Sequence, residues 1–176
     1  FFFTRTFLFF QLGFSQTTTW TGASWDNGVP TITVDAIISS GTCPILVDTE
    51  VKSIIIQDGA VLSVDESITL TIQDNIQVLG SGQFIVNNNA SILQNNASAV
   101  NVGNITYSRD AMPMRQFEFT YWGSPVAGQL LNVFSPLTLS DKFYSYNANV
   151  GVNNWVIENQ NNVMTPGKGY AIRAPQ

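Results

Sequence analysis

Pairs of residues two apart, most of them apolar, recur every seven or eight positions through the middle of this 176-residue chain. They are Ile54/Ile56, Leu62/Val64, Leu70/Ile72, Gln77/Leu79, Phe84/Val86 and Ile92/Gln94, separated by Gly59, Asp74-Asn75, Gly80-Ser81-Gly82, Asn87-Asn88-Asn89 and Asn95-Asn96. A spacing of two puts both members of a pair on one face of a strand. Nowhere from Ile32 to Ile105 do apolar residues follow the i, i+3, i+4, i+7 spacing of an amphipathic helix. Three steps make a unit of about 23 residues, enough for one turn of a parallel β-solenoid with three short strands joined by tight corners. Such turns bury a core only by stacking, so at least three are expected. The alternative is a β-sandwich, which also places strands every 8 to 12 residues. Its favoured hairpin dipeptides occur in this stretch only at Asp58-Gly59.

The corners account for the composition. Asn tolerates left-handed backbone and bonds its neighbours through its amide, and Gly takes positive φ without a steric clash. Stacked amides pair without charge, consistent with a chain in which only 11% of residues are charged while 44% are hydrophobic. Disorder from low hydrophobicity is excluded. The net charge of −5 opposes nucleic-acid binding, which needs clustered cations to displace counterions. Histidine is absent, which removes the Ser-His and Cys-His nucleophile pairs and the His-containing zinc sites. No enzymatic activity is expected. The lone Cys43, in a turn entering a strand, reads as a small buried hydrophobe.

The flanks differ from the repeats. Phe1 to Phe14 contain seven Phe and two Leu, too short a block to span a bilayer and read as part of a secretory signal peptide over residues 1–15. No later stretch predicts a membrane span, so the mature chain is expected to be secreted or at the cell surface. Residues 16–30, with Trp20 and Trp25, read as a cap over the end of the solenoid, with a ligand-stacking pair as the alternative. The solenoid is expected over 31–107. Residues 108–176 read as an aromatic-rich β domain, in which Phe117-Glu118-Phe119-Thr120-Tyr121-Trp122, Phe143-Tyr144-Ser145-Tyr146 and Gly169-Tyr170-Ala171-Ile172-Arg173 alternate like strands. Ending on Pro175-Gln176 right after a strand, the chain reads as a fragment of a longer protein.

Several blocks carry a resemblance. Thr17-Thr18-Thr19-Trp20-Thr21-Gly22, Met112-Pro113-Met114-Arg115, Thr120-Tyr121-Trp122-Gly123-Ser124-Pro125-Val126 and Pro166-Gly167-Lys168-Gly169-Tyr170 resemble the N-terminal β-solenoid region of adhesin-like bacterial cell-surface proteins exported by the type IX secretion system. The resemblance implies a multidomain surface protein, with the type IX machinery as a partner. It supplies no catalytic residues.

Candidate sites are few. Gly167-Lys168-Gly169 lacks the upstream glycine and following hydroxyl of a P-loop and reads as a turn. Asp35 and Asp58, 23 residues apart, would stack on one corner if the repeat held throughout, giving a candidate calcium site with Asn and carbonyl oxygens around it. No other cofactor is expected. The binding candidates are the aromatics Tyr121, Trp122, Tyr144, Tyr146, Trp155 and Tyr170, which could stack on sugar rings of a surface polysaccharide or glycan or could equally form a small core. The expected function is a non-catalytic stalk or adhesion module. A polysaccharide-degrading enzyme of the β-helix type is the alternative.

Overall fold

The computed structural model describes residues 16–149, 151 and 154–175; the leader expected at 1–15 lies outside them. The chain divides after Thr106 into two compact units.

The first unit is a parallel β-solenoid of about four turns. Its strands fall on three sheets. One runs through Gln16–Trp20 (β1), Val34–Ile38 (β2), Ile54–Ile56 (β5) and Ile76–Val78 (β8); a second through Thr42–Ile45 (β3), Val61–Val64 (β6), Gln83–Val86 (β9) and Thr106–Tyr107 (β11); a third through Thr49–Val51 (β4), Thr69–Ile72 (β7) and Ser91–Gln94 (β10). Alternate residues of each strand point inward. Ile54, Ile56, Leu62, Val64, Leu70, Ile72, Phe84 and Val86 are buried and stack turn on turn, as continuous burial on one face of a parallel stack requires.

The repeat differs from the expected one in length and in phase. Ile54 pairs with Ile76, Val61 with Gln83 and Thr69 with Ser91, so the regular turns have 22 residues. The earlier pairings of Gln16 with Val34 and Ala36 with Ile54 close on only 18. In β8 the inward residues are Ile76 and Val78 rather than Gln77 and Leu79, because Ile76 must stack on Ile54. The stack also starts earlier than residue 31: β1, inside the segment read as a cap, pairs in parallel with β2. The capping itself falls to the segment between β1 and β2. Trp25 folds back edge-on to Trp20 with centroids 5.6 Å apart, and Trp25 and Pro30 close over Ala36 and Ile38 at the end of the core.

Polar ladders run up the outside. Asn95 donates to Gln73 (2.9 Å), Asn96 to Asp74 (2.8 Å), Asn87 to Ser63 (3.1 Å) and Ser53 to Asp35 (2.5 Å), each link joining neighbouring turns. Glycine is required at Gly103, whose φ is +87° and where a Cβ would run into the Val78 carbonyl oxygen.

The second unit is a four-stranded antiparallel sheet in the order Phe119–Gly123 (β12), Gly169–Arg173 (β15), Phe143–Tyr146 (β13), Trp155–Ile157 (β14). A single-turn helix, Leu131–Phe134 (α1), packs on one face of it. Leu131, Phe143, Met164, Tyr170 and Ile172 form its core, with Trp122 and Phe134 against them.

Candidate functional site

Period-two alternation in the second unit separates aromatic residues that are adjacent in sequence. Tyr121 pairs with Ala171, Ala171 with Tyr144 and Tyr144 with Ile157, while Tyr146 pairs with Trp155, so these side chains share one face. On the other face Trp122 pairs with Tyr170, and Ile172 with both Thr120 and Phe143. That second face carries the core.

The six aromatic candidates therefore divide. Tyr170 is 2% exposed and its hydroxyl accepts the Thr165 N–H at 2.9 Å, a core position. Trp122 stacks edge-on against Phe134 at 4.9 Å beside the same cluster. Their burial follows from strand parity, since each is one residue from an outward neighbour. Tyr121, Tyr144, Tyr146 and Trp155 remain together on the open face, Tyr121 being 73% and Trp155 48% exposed.

The open-face rings touch in a chain. Tyr121 lies 6.3 Å from Trp155 with planes tilted by 32°, and Trp155 lies 5.3 Å edge-on from Tyr146. Phe119 lies 5.7 Å from Tyr144. Between them Phe119, Tyr121, Tyr144 and Trp155 wall a slot of about 340 Å³ floored by Ala171. The small residue on the central strand makes the depression; a larger one would fill it. Phe119 and Ala171 were not among the sequence candidates. The alternation of Phe119 with Tyr121 carries the signal for the first, whereas only the strand order reveals the second.

A second cavity, of about 510 Å³, is lined by Trp122, Phe134 and Ile172 with Arg109, Asp110 and Arg173, and a third, of about 280 Å³, by Trp122, Gly123, Pro125 and Met164. None of these three cavities is lined by a pair of carboxylates.

A family model described as Domain of unknown function (DUF8693) matches residues 13–176. The chain belongs to that family. No curated protein and no solved structure matches it.

Three carboxylates of this DUF8693 chain, Glu158, Asp35 and Asp58, are engaged locally. Burial pushes the Glu158 pKa up, but hydrogen bonds from Lys168 (2.5 Å), Ser145 (2.6 Å) and Asn162 (3.0 Å) outweigh it, and the net shift is below the usual range. The pair Asp35 and Asp58 is not brought together. Since the β2–β5 step is 18 residues, the turn-mate of the Asp35 position is Ser53, and the two Asp lie at opposite ends of that strand pair. Asp35 holds Ser53 and Lys52 (3.2 Å). Asp58 accepts the Ser81 N–H (2.7 Å) and hydroxyl (2.8 Å), which together lower its pKa. Among the described residues no group of three or more His, Cys, Asp or Glu is placed to hold a metal ion. No described helix is long and apolar enough to cross a membrane.

Proposed function

We propose that this chain is a non-catalytic module of a secreted or cell-surface protein, in which the solenoid is a structural element and the aromatic face of the second unit binds glycan. One observation carries the reading: Tyr121, Tyr146 and Trp155 stay exposed, with Tyr144 half-buried beside them, on a sheet whose opposite face already holds an aromatic core. Clustered exposed aromatic rings mark a binding surface. Sugar rings suit it because their C–H faces stack on aromatic faces while tyrosine hydroxyls and the indole N–H remain free to hydrogen-bond. Export past the outer surface by the type IX route belongs to the same proposal, on the resemblance of the Tyr-Trp-Gly-Ser-Pro-Val and Pro-Gly-Lys-Gly-Tyr blocks.

Affinity electrophoresis of the chain through neutral and acidic polysaccharides tests the reading. Retardation by at least one polymer, abolished by Trp155→Ala and by Tyr121→Ala with the fold intact, is expected. Unretarded wild type across the panel, or retardation that survives both substitutions, would overturn it.

A further inference from the structure

Arg173 ends β15 two residues beyond Ala171, and the pairing of Phe119 with Arg173 puts its side chain on the aromatic face. It is 8% exposed, and among the described residues its Nε and Nη2 have no hydrogen-bond partner. Those two nitrogens present parallel N–H groups along one edge of the guanidinium, the edge that receives both oxygens of a carboxylate. A buried cation with unmet donors is costly and calls for a partner.

Among the described residues no acceptor meets that edge, although neighbouring atoms bury it. The ring of Phe117 stacks on the guanidinium face, 5.3 Å from Cζ. The pKa of Asp141 is lowered first by its hydrogen bond from Lys142 and only secondarily by the charge of Arg173, so its carboxylate is already held by Lys142. The Phe117 segment is the other neighbour. Its ring is largely exposed and its φ is +74°, an unfavourable backbone for a bulky residue.

We propose that the Nε/Nη2 edge of Arg173, which lines the second cavity and by register lies beside Phe119 beyond the slot, is a carboxylate receptor, and that the glycan is rich in uronic acid. This rests on the glycan reading above and names its substrate class. A two-residue step along β15 spans roughly 6.6 Å, close to the reach from the centre of a sugar ring over Ala171 to its carboxylate plus one hydrogen bond. The aromatic walls favour a sugar over an acidic peptide as the source of the carboxylate, because the C–H face of a sugar ring lies flat on a tyrosine or tryptophan. Entry of the carboxylate displaces the Phe117 segment. The net charge of −5 repels polyanions at long range, so a preference for an acidic polymer in 0.15 M salt reports a specific contact.

The test compares polygalacturonate with its carboxyl-reduced form, the same polymer without charge, on wild type, Arg173→Lys and Trp155→Ala. Wild type should bind polygalacturonate at least tenfold more tightly, equivalent to about 1.4 kcal/mol. Arg173→Lys should lose that preference while keeping its affinity for the reduced polymer, and Trp155→Ala should lose both. Equal affinity of wild type for the two polymers, or an undiminished preference in Arg173→Lys, overturns the carboxylate receptor alone. Failure to bind either polymer overturns the uronic-acid assignment, and the glycan reading falls with it only if the wider polysaccharide panel is also unbound. Polyglutamate bound as tightly as polygalacturonate overturns the sugar assignment. Should Arg173→Lys not fold, the Arg173 Nε–H resonance of the wild type decides: galacturonate should shift it, and an unmoved signal refutes the receptor.

Discussion

Trp155 and Tyr170 belong to the same short list of aromatic candidates, and the sheet gives them opposite roles, which makes their alanine variants a direct test of the face assignment. Tyr170 is 2% exposed at the centre of the second unit's core. Truncating a buried aromatic to alanine costs about 3–5 kcal/mol through lost transfer energy and the cavity left behind. Loss of the hydroxyl that accepts the Thr165 N–H adds to this. Trp155 is 48% exposed, in the edge strand β14. An aromatic side chain buries about 150–250 Å² at most, so about half of that at about 25 cal/mol per Å², less the contraction of a realistic unfolded chain, leaves roughly 1–3 kcal/mol. At about 4–8 °C per kcal/mol for a unit this size, Tyr170→Ala should lower Tm by more than about 12 °C and further than Trp155→Ala does, the latter staying under about 24 °C. Thermal melts followed by near-ultraviolet circular dichroism give both shifts, and polymer binding is measured below each transition. Trp155→Ala should lose binding while folded, whereas Tyr170→Ala should lose binding only as far as it unfolds. A Trp155→Ala protein as unstable as Tyr170→Ala, or a folded Tyr170→Ala that has selectively lost binding, would refute the assignment of faces.

Two further outcomes concern the titrating groups. Cys43 is fully buried and desolvation pushes its thiol up to about 12, so a thiol-specific reagent at pH 8 should leave the native chain unlabelled and label it fully in denaturant; fast native labelling would contradict the packing of β3 against β6. Glu158 has a side chain 12% exposed that gathers Lys168, Ser145 and Asn162. Its folded pKa is depressed, so its contribution is present above the unfolded value near 4.5 and is lost as pH falls through the folded value. Glu158→Gln should cost roughly 1–2 kcal/mol at pH 7, by replacing charge-assisted hydrogen bonds with neutral ones, and the difference from wild type in denaturant melts should vanish toward pH 3; a difference independent of pH would refute it.

The solenoid is legible in the sequence because its rule is local. Pairs such as Leu70/Ile72 mark an inward face, and the Asn and Gly runs between them mark corners. Register is less legible, because it depends on corner length. The short step from Ala36 to Ile54 moves Asp35 away from Asp58, and a uniform period drawn from the later turns cannot anticipate it. In the second unit, alternation identifies strands at Phe119, Phe143 and Gly169 but not which face is the core, since both faces are aromatic. What decides is the connecting chain: α1, between β12 and β13, and Met164, between β14 and β15, cover the Trp122/Tyr170 side. Neither the strand order that sets Ala171 between Tyr121 and Tyr144 nor the orphaned edge of Arg173 has a sequence signal, because both arise from pairings of residues about 25 to 50 positions apart.

The ladders show why so little charge serves this solenoid. Parallel stacking sets equivalent positions about 4.8 Å apart, where two like charges repel appreciably even near a solvated surface. Each ladder carboxylate on the solenoid meets a neutral donor from the adjacent turn: Asp35 receives the Ser53 hydroxyl, Asp48 the Thr69 N–H, Asp58 the Ser81 N–H and hydroxyl, and Asp74 the Asn96 amide. A carboxylate in a ladder thus acts as an acceptor that pins the next turn's backbone or corner, and a second carboxylate in the same row would remove the donor as well as add repulsion. The row favours an acid that alternates with a hydroxyl, an amide or a free backbone N–H. That preference holds the acidic content of a 22-residue turn low and supplies the neutral polar residues that dominate its corners.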